Sequence, residues 1–263
     1  MQLLPLTQTE LAGTGLAPAD LDAVLWQGAY PALYDRDLAP DDWFPNYVAT
    51  YVERDVRQLL AVRELGTFQR FLGMCAARCG QLLNLSSLAA DCGISHVTAR
   101  EWLTVLEASY VVRLLPPYHR NFGKRLVKTP KLYFVDVGLA AWLLGIRGAG
   151  ALAAHAMRGA LFENFVIGEF IKQRFNAGQP AELYFWRDNL GHEVDLLFET
   201  EGKLQAVEIK SGMTFASDWT AAAARWKQFA GDAARQPWII YGGEQSFDTE
   251  ACRVFPWRSL RHA

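Results

Sequence analysis

The sequence predicts a mixed, α+β protein in three parts. An N-terminal helical segment comes first, then a helix-turn-helix followed by two strands, and last a sheet with helices on both faces. Three patterns carry this expectation: a short helix, glycine and longer helix over residues 86–110; two strands joined by a tight hairpin over 194–210; and helical apolar stripes before and after that hairpin. Composition agrees, because 51% of the 263 residues are hydrophobic and 21% charged, which excludes disorder. The predicted boundaries are 1–69, 70–146 and 151–263, with the Gly/Ala-rich stretch from Gly145 to Gly150 as the last break.

In the first part, Gly28-Ala29-Tyr30-Pro31 reads as a turn. A helix is expected after Pro45, with Tyr47, Val48, Tyr51, Val52 and Val56 at helical spacing and Glu53, Arg54, Asp55 and Arg57 on its polar side. Another is expected from Gly66 to Cys79, its stripe being Phe68, Phe71, Leu72 and Cys75. Cys75 and Cys79 have no histidine partners at metal-ligand spacing and read as core thiols.

In the second part, Ser86 or Ser87 is the expected cap of a short helix that Gly93 ends, and Ser95 caps the helix after it. Ala99, Trp102, Leu103, Leu106 and Tyr110 share one face of that helix, and His96, Val97, Arg100, Glu101 and Thr104 the other. Strands are expected at Tyr110–Leu115 and Lys131–Asp136, with the connection between them as a wing, which makes residues 70–146 a winged helix. Residues 108–135 hold no acid and six bases (Arg113, Arg120, Lys124, Arg125, Lys128 and Lys131), although the whole chain carries a net charge of −2. Uncompensated charge of one sign is the footprint of an anion-binding surface. Ser95, His96, Arg100, Lys124, Arg125 and Lys128 are therefore the candidate DNA-binding residues. The competing readings are a solvated basic loop and a winged helix that contacts only protein.

In the third part, a helix is expected from Arg158 to Phe175, strands at Leu183–Trp186, Val194–Phe198 and Leu204–Lys210, a helix from Ala216 to Ala230, and strands at Trp238–Tyr241 and Arg253–Phe255. Side chains alternate along a strand, so Glu208 and Lys210 share a face while Val207 and Ile209 fill the core. The Glu201-Gly202 hairpin brings Asp195 beside Glu208. Carboxylates on otherwise apolar strands are costly unless paired or metal-bound, and two suffice for Mg²⁺, which keeps several waters. A neighbouring lysine can orient water or stabilise developing negative charge. The competing reading is a surface ion pair.

Glu193-Val194-Asp195-Leu196-Leu197 followed by Ala206-Val207-Glu208-Ile209-Lys210-Ser211 resembles the PD-(D/E)XK phosphodiesterase superfamily, with its restriction-endonuclease-like fold. Glu163, in Leu161-Phe162-Glu163-Asn164-Phe165-Val166, matches the extra helical glutamate of many members. The resemblance implies Glu163, Asp195, Glu208 and Lys210 as catalytic residues, with the three acids holding Mg²⁺ or Mn²⁺. The RecB-type Gln-x-x-x-Tyr element is missing, because Gln228 is followed by Phe229-Ala230-Gly231-Asp232. Nearly the whole chain is also similar to the C-terminal two-thirds of bacterial and archaeal AAA-type ATPases that end in a domain of unknown function. The motifs that carry this, in order, are Pro5-Leu6-Thr7-x-x-Glu10-Leu11, Gly28-Ala29-Tyr30-Pro31, Tyr47-x-x-x-Tyr51-x-x-Arg54-Asp55, Pro130-Lys131-Leu132-Tyr133-Phe134-x-Asp136-x-Gly138-Leu139 and Gly159-x-x-Phe162-Glu163-Asn164. That resemblance makes residues 1–69 the remnant of an ATPase core and lid. It also implies an upstream ATPase, as a missing domain or a partner chain. No G-x-x-x-x-G-K-[ST] occurs, the nearest string being Phe122-Gly123-Lys124-Arg125, so no P-loop ATP site is expected.

The expected function is a metal-dependent nuclease delivered to nucleic acid, DNA first, by a winged helix. The alternatives are a non-catalytic DNA- or protein-binding module on a nuclease-like scaffold and an antitoxin-like or phage-defence interaction protein. No apolar run approaches the roughly 18 residues of a membrane span, so no membrane partner is expected. The start lacks the pattern of a signal peptide, and the four cysteines form no CxxC pair, which together predict a reduced, cytoplasmic location.

Overall fold

The computed structural model of the chain describes residues 3–51, 65–118 and 127–262. The helices are α1 (Gln8–Thr14), α2 (Leu21–Gln27), α3 (Pro31–Asp35), α4 (Pro40–Tyr51), α5 (Leu65–Ala76), α6 (Leu85–Cys92), α7 (His96–Ala108), α8 (Val137–Leu143), α9 (Arg158–Asn176) and α10 (Trp219–Ala230). The strands are β1 (Val112–Leu115), β2 (Lys131–Phe134), β3 (Leu183–Arg187), β4 (Glu193–Thr200), β5 (Lys203–Lys210), β6 (Trp238–Tyr241), β7 (Phe247–Asp248) and β8 (Arg253–Pro256). The fold is mixed α/β. The chain divides into two compact units: Met1–Leu6, Leu16–Leu114 and Lys131–Asn164 form one, and Thr7–Gly15, Leu115–Pro130 and Phe165–Ala263 the other.

In the first unit, α4 starts at Pro40, before the expected position, and carries Pro45 inside it. Proline at the first helical position costs no hydrogen bond, which favours the earlier start. Phe44, Val48 and Tyr51 are its buried residues besides Pro40. The Gly28-Ala29-Tyr30-Pro31 turn is built around Asp136, whose Oδ2 accepts from the Ala29 N–H at 2.7 Å and whose Oδ1 accepts from the Leu139 N–H at 2.9 Å, capping α8. Gly28 has φ +70°, and a Cβ there would lie 2.3 Å from Asp136 Oδ1; a Cβ on Gly138 would lie 2.6 Å from the Gly28 nitrogen. Gly138 is thus required by a close approach to backbone, and Gly28 by its positive φ and the Asp136 carboxylate.

The cap of α6 is Asn84, whose side chain accepts from the Ser87 N–H. This corrects the expected Ser86 or Ser87 cap, since asparagine ranks at least as high as serine in that role. Gly93 ends α6 in the left-handed conformation, φ 68°, and the Ser95 side chain accepts from the Thr98 N–H to cap α7. Ala99, Trp102, Leu103 and Leu106 are buried on α7. Trp102 meets Phe68 and Phe71 of α5 edge-to-face, at 5.1 and 5.4 Å between ring centres. After α7, β1 and β2 pair as a two-stranded sheet. Cys75 and Cys79 are free and fully buried; Cys79 donates its S–H to Asn164 Oδ1 at 3.1 Å, and burial pushes its thiol up to about 12.

The second unit is a six-stranded mixed sheet in the order β3-β4-β5-β6-β8-β7. β3, β4 and β5 form an antiparallel meander, and β6 and β8 run parallel to β5. α10 is the crossover between β5 and β6. Its Trp226 and Ala230 join Trp186, Val194, Leu197, Leu204 and Ala206 in one cluster, and its Ala223 packs with Ile239, Tyr241, Cys252 and Val254 in another. On α9, Phe170 approaches Phe198 at 5.6 Å and Phe165 approaches Trp257 at 6.3 Å. α1 belongs to this unit: the Gln8 N–H donates to buried Glu169 Oε2 at 2.8 Å, and Glu169 pairs with Lys172, one turn along α9. The segment after β1 also joins it. The Phe185 and Tyr118 N–H groups bond to Pro116 and Phe185 carbonyls, and the Val127 N–H to the Arg187 carbonyl. Both described ends of the basic connection therefore lie along β3 and pair with backbone groups on its outer edge.

Candidate functional site

The β3–β4 pairing decides where Asp195 sits. Tyr184 pairs with Leu197 and Trp186 with Val194, so β4 spends three steps where β3 spends two. The extra residue is a β-bulge at Asp195-Leu196. Val194 and Leu197 both pack into the α10-side cluster, which plain alternation forbids. Bulges re-aim side chains and interrupt pairing, and this one does both. The β4–β5 register starts at Leu196↔Val207, one step short of the position that would pair Asp195 with Glu208. The Asp195 carboxylate replaces that ladder contact: its Oδ2 accepts from the Ile209 N–H at 2.8 Å.

Glu208 and Lys210 stand at the C-terminal end of β5, where β6 runs alongside in parallel, Glu208 opposite Ile239 and Lys210 opposite Tyr241. Lys210 Nζ donates to Glu208 Oε1 at 2.5 Å, with the Glu208 side chain only 12% exposed. Burial pushes the Glu208 carboxyl up to about 8. The negative charges of Asp195 and Glu193 push in the same direction, and Lys210 opposes them. A carboxyl oxygen of Glu193 lies within 4.8 Å of one of Asp195, and Glu193 is held by Arg187 at 3.0 Å. Glu193 adds charge to this corner that the sequence reading did not weigh; its i, i+2 spacing from Asp195 was the available signal.

A divalent cation fits this donor set. The ligands are hard carboxylate oxygens, and a cation would offset the burial and the neighbouring negative charge that raise the Glu208 carboxyl. Among the described residues of this unit, Glu193 and Asp195 bring carboxylate oxygens within 4.8 Å of one another, and the negative charge of both acts on Glu208.

Glu163 lies in the first unit, on α9. Its Oε1 accepts from Lys131 Nζ at 2.9 Å and from the Tyr133 hydroxyl. The expected DNA-contact residues fall as follows. Ser95, His96 and Arg100 are exposed at the start of α7, where Val97 is 65% exposed. Lys128, in the second unit, is exposed. Lys124 and Arg125 lie outside the described residues. The sequence reading missed the Asp188–His192 pair of the β3–β4 loop, joined at 2.7 Å; His192 lines one cavity with Glu193 and Glu208.

Residues 18–149 match a family described as Domain of unknown function (DUF8612), and residues 158–260 match Domain of unknown function (DUF4143), which is common in C-terminal regions associated with AAA-type ATPases. Uncharacterized proteins of Mycobacterium bovis and Mycobacterium tuberculosis are each 34% identical over 217 residues, covering 81% of this chain and 48% of their own length. The chain thus spans about half the length of the curated relatives it matches. Among the described residues, no helix is long and apolar enough to cross a membrane.

Proposed function

The chain belongs to the DUF8612 family, and we propose that it works as the nucleic-acid-handling, C-terminal part of an AAA-type ATPase, with a metal-dependent phosphodiesterase centre on its second unit. One observation carries the reading: a bulge hands the Asp195 carboxylate to the Ile209 N–H, beside a buried Glu208–Lys210 pair at the end of a parallel strand. That position in a parallel sheet is where ligands bind in α/β folds. Asp195 and Glu208 would hold Mg²⁺ or Mn²⁺, which polarises a phosphate and acidifies a bound water. Lys210, whose ammonium lies 2.5 Å from Glu208, would orient a water and meet charge developing on phosphate oxygens. The winged-helix reading of residues 70–146 rests on the two capped helices, the left-handed Gly93 and the strand pair after them. In that reading His96 and Arg100 meet DNA, with Lys124, Arg125 and Lys128 on its phosphates. The location proposed is the cytoplasm.

The test is Mn²⁺ titration by calorimetry together with cleavage of single-stranded, duplex and branched DNA. Asp195→Asn keeps the shape and removes a ligand charge, so metal affinity falls. Lys210→Ala keeps the metal and slows cleavage by roughly 10²–10³-fold. Absence of both metal binding and cleavage overturns the reading. The Glu208–Lys210 ion pair would then mark a non-catalytic scaffold, the second reading this pair favours. The resemblance adds Glu163 as a third ligand, and Glu163→Gln tests that addition separately: weaker Mn²⁺ binding supports it and unchanged binding overturns it.

A further inference from the structure

One buried carboxylate closes the β3–β4 loop. Asp188 Oδ1 accepts from the Leu190 and His192 N–H groups, each at 2.9 Å, and its Oδ2 meets His192 Nδ1 at 2.7 Å. The Asp188 N–H donates in turn to the His192 carbonyl at 3.0 Å. Burial by itself would raise the Asp188 carboxyl, but the hydrogen bonds from the His192 ring and from the two N–H groups hold it below the usual carboxylate range. An ionised carboxylate only accepts hydrogen bonds. In a neutral His192 ring the proton therefore sits on Nδ1 and the lone pair on Nε2.

The loop closes through Oδ1 and the backbone bond without needing a ring. The second carboxylate oxygen holds an imidazole whose side chain is 28% exposed. His192 lines a cavity of about 230 Å³ with Glu193 and Glu208, and Arg225 is the cation of the same wall. Phe229 of α10 steadies the ring at 5.6 Å between ring centres. Asp188 lies behind the ring, on its Nδ1 side, so Nε2 is the nitrogen left for the cavity. The space holds several water-sized molecules at about 30 Å³ each.

We propose that His192 is the general base of the phosphodiesterase centre and that Asp188 positions it. The proposal rests on the phosphodiesterase reading above and adds a group to that site. Nε2 takes a proton from the attacking water as the water oxygen bonds to phosphorus. The bond from phosphorus to the leaving sugar oxygen breaks, that oxygen keeps the electron pair and takes a proton from solvent, and the imidazolium returns its proton to solvent. The sum is a phosphodiester and water giving a phosphomonoester and an alcohol. A carboxylate on Nδ1 fixes the tautomer and stabilises the imidazolium, which is how a base is oriented by a third group in hydrolytic triads.

The experiment uses the full chain and two readouts. In EDTA, diethyl pyrocarbonate modifies unprotonated imidazole nitrogen, and mass spectrometry follows His192 against exposed His96. Asp188→Asn keeps an oxygen for the two N–H groups, but its amide donates to Nδ1 and moves the ring proton to Nε2. His192 should then lose reactivity relative to His96, and equal reactivity in parent and variant overturns the proposal. In Mn²⁺, His192→Ala should cleave DNA roughly 10²–10⁴-fold more slowly. Its Mn²⁺ affinity and circular dichroism should match the parent, and added imidazole should restore part of the rate, which a loop-closing role would not allow. His192→Gln takes the same test if the alanine variant loses native circular dichroism. Cleavage at the parent's rate by a folded variant overturns the proposal and leaves the phosphodiesterase reading standing. Absence of cleavage by the parent overturns both.

Discussion

Glu208 shows how a candidate site costs its own fold stability. Its carboxyl is raised from an ordinary value near 4.5 to about 8, by burial first and then by its acidic neighbours. Between those pH values the unfolded chain has released the proton that the folded chain keeps, so stability falls as pH rises through this window and levels off above it. Glu208→Gln should remove that slope. The metal-free variant should melt about 3–10 °C above the parent at pH 9, from roughly 1–3 kcal/mol of relieved charge burial, and near the parent at pH 4. Equal melting temperatures across this range would show that the carboxyl is not buried in charged form. Gly28 is the second informative residue. A Cβ there would enter the Asp136 carboxylate that caps α8, on a backbone with φ +70°. Gly28→Ala should cost at least ~2 kcal/mol in urea unfolding, whereas a neutral result would mean that the crossing can open.

At the scale of elements, two devices position chemistry. The β4 bulge lets Asp195 take a backbone partner on β5, while the strands continue to pack through Val194 and Leu197. The α6–α7 pair presents an exposed face from Ser95 to Arg100 because both helix starts are capped by side chains. Ser95→Ala should destabilise by about 1 kcal/mol, measured by denaturant midpoint. The double substitution His96→Ala with Arg100→Ala should leave stability within about 0.5 kcal/mol. If α7 faces DNA, that double variant should weaken binding and flatten the salt dependence by about one counterion for the phosphate contact that Arg100 gives up. An unchanged slope would return this face to solvent.

At the scale of the whole chain, the second unit recruits residues 7–15 from far upstream. α1 caps its own start with Thr7 and Glu10, donates the Gln8 N–H to Glu169, and buries Leu11 completely. Without it, the Glu169–Lys172 pair loses a hydrogen bond and its cover. Deleting residues 1–15 should therefore destabilise the second unit. Hydrogen exchange should show lost protection along α9 around residues 165–173, with the helices of residues 65–108 less affected. Unchanged protection along α9 would mean that α1 is dispensable.

Periodicity and cap chemistry made the helices around Gly93 and Ser95 readable from the sequence, as well as the apolar face of α7, the Glu201-Gly202 hairpin, and the shared face of Glu208 and Lys210. These depend on interactions within a few residues. The residue types of the candidate site were legible for the same reason, since charges on apolar strands demand partners. The bulge was not legible, because it appears only in the register between β3 and β4, and one extra residue leaves no compositional mark. Neither was the role of Asp136, which meets Gly28 and Ala29 across more than a hundred residues. The same holds for α1, whose Gln8 reaches Glu169 from the far end of the chain. Local sequence determined which segments became helix or strand and which side of each was apolar. Tertiary structure decided which carboxylates share a corner, because long-range pairing sets that geometry and one residue of slippage is enough to change it.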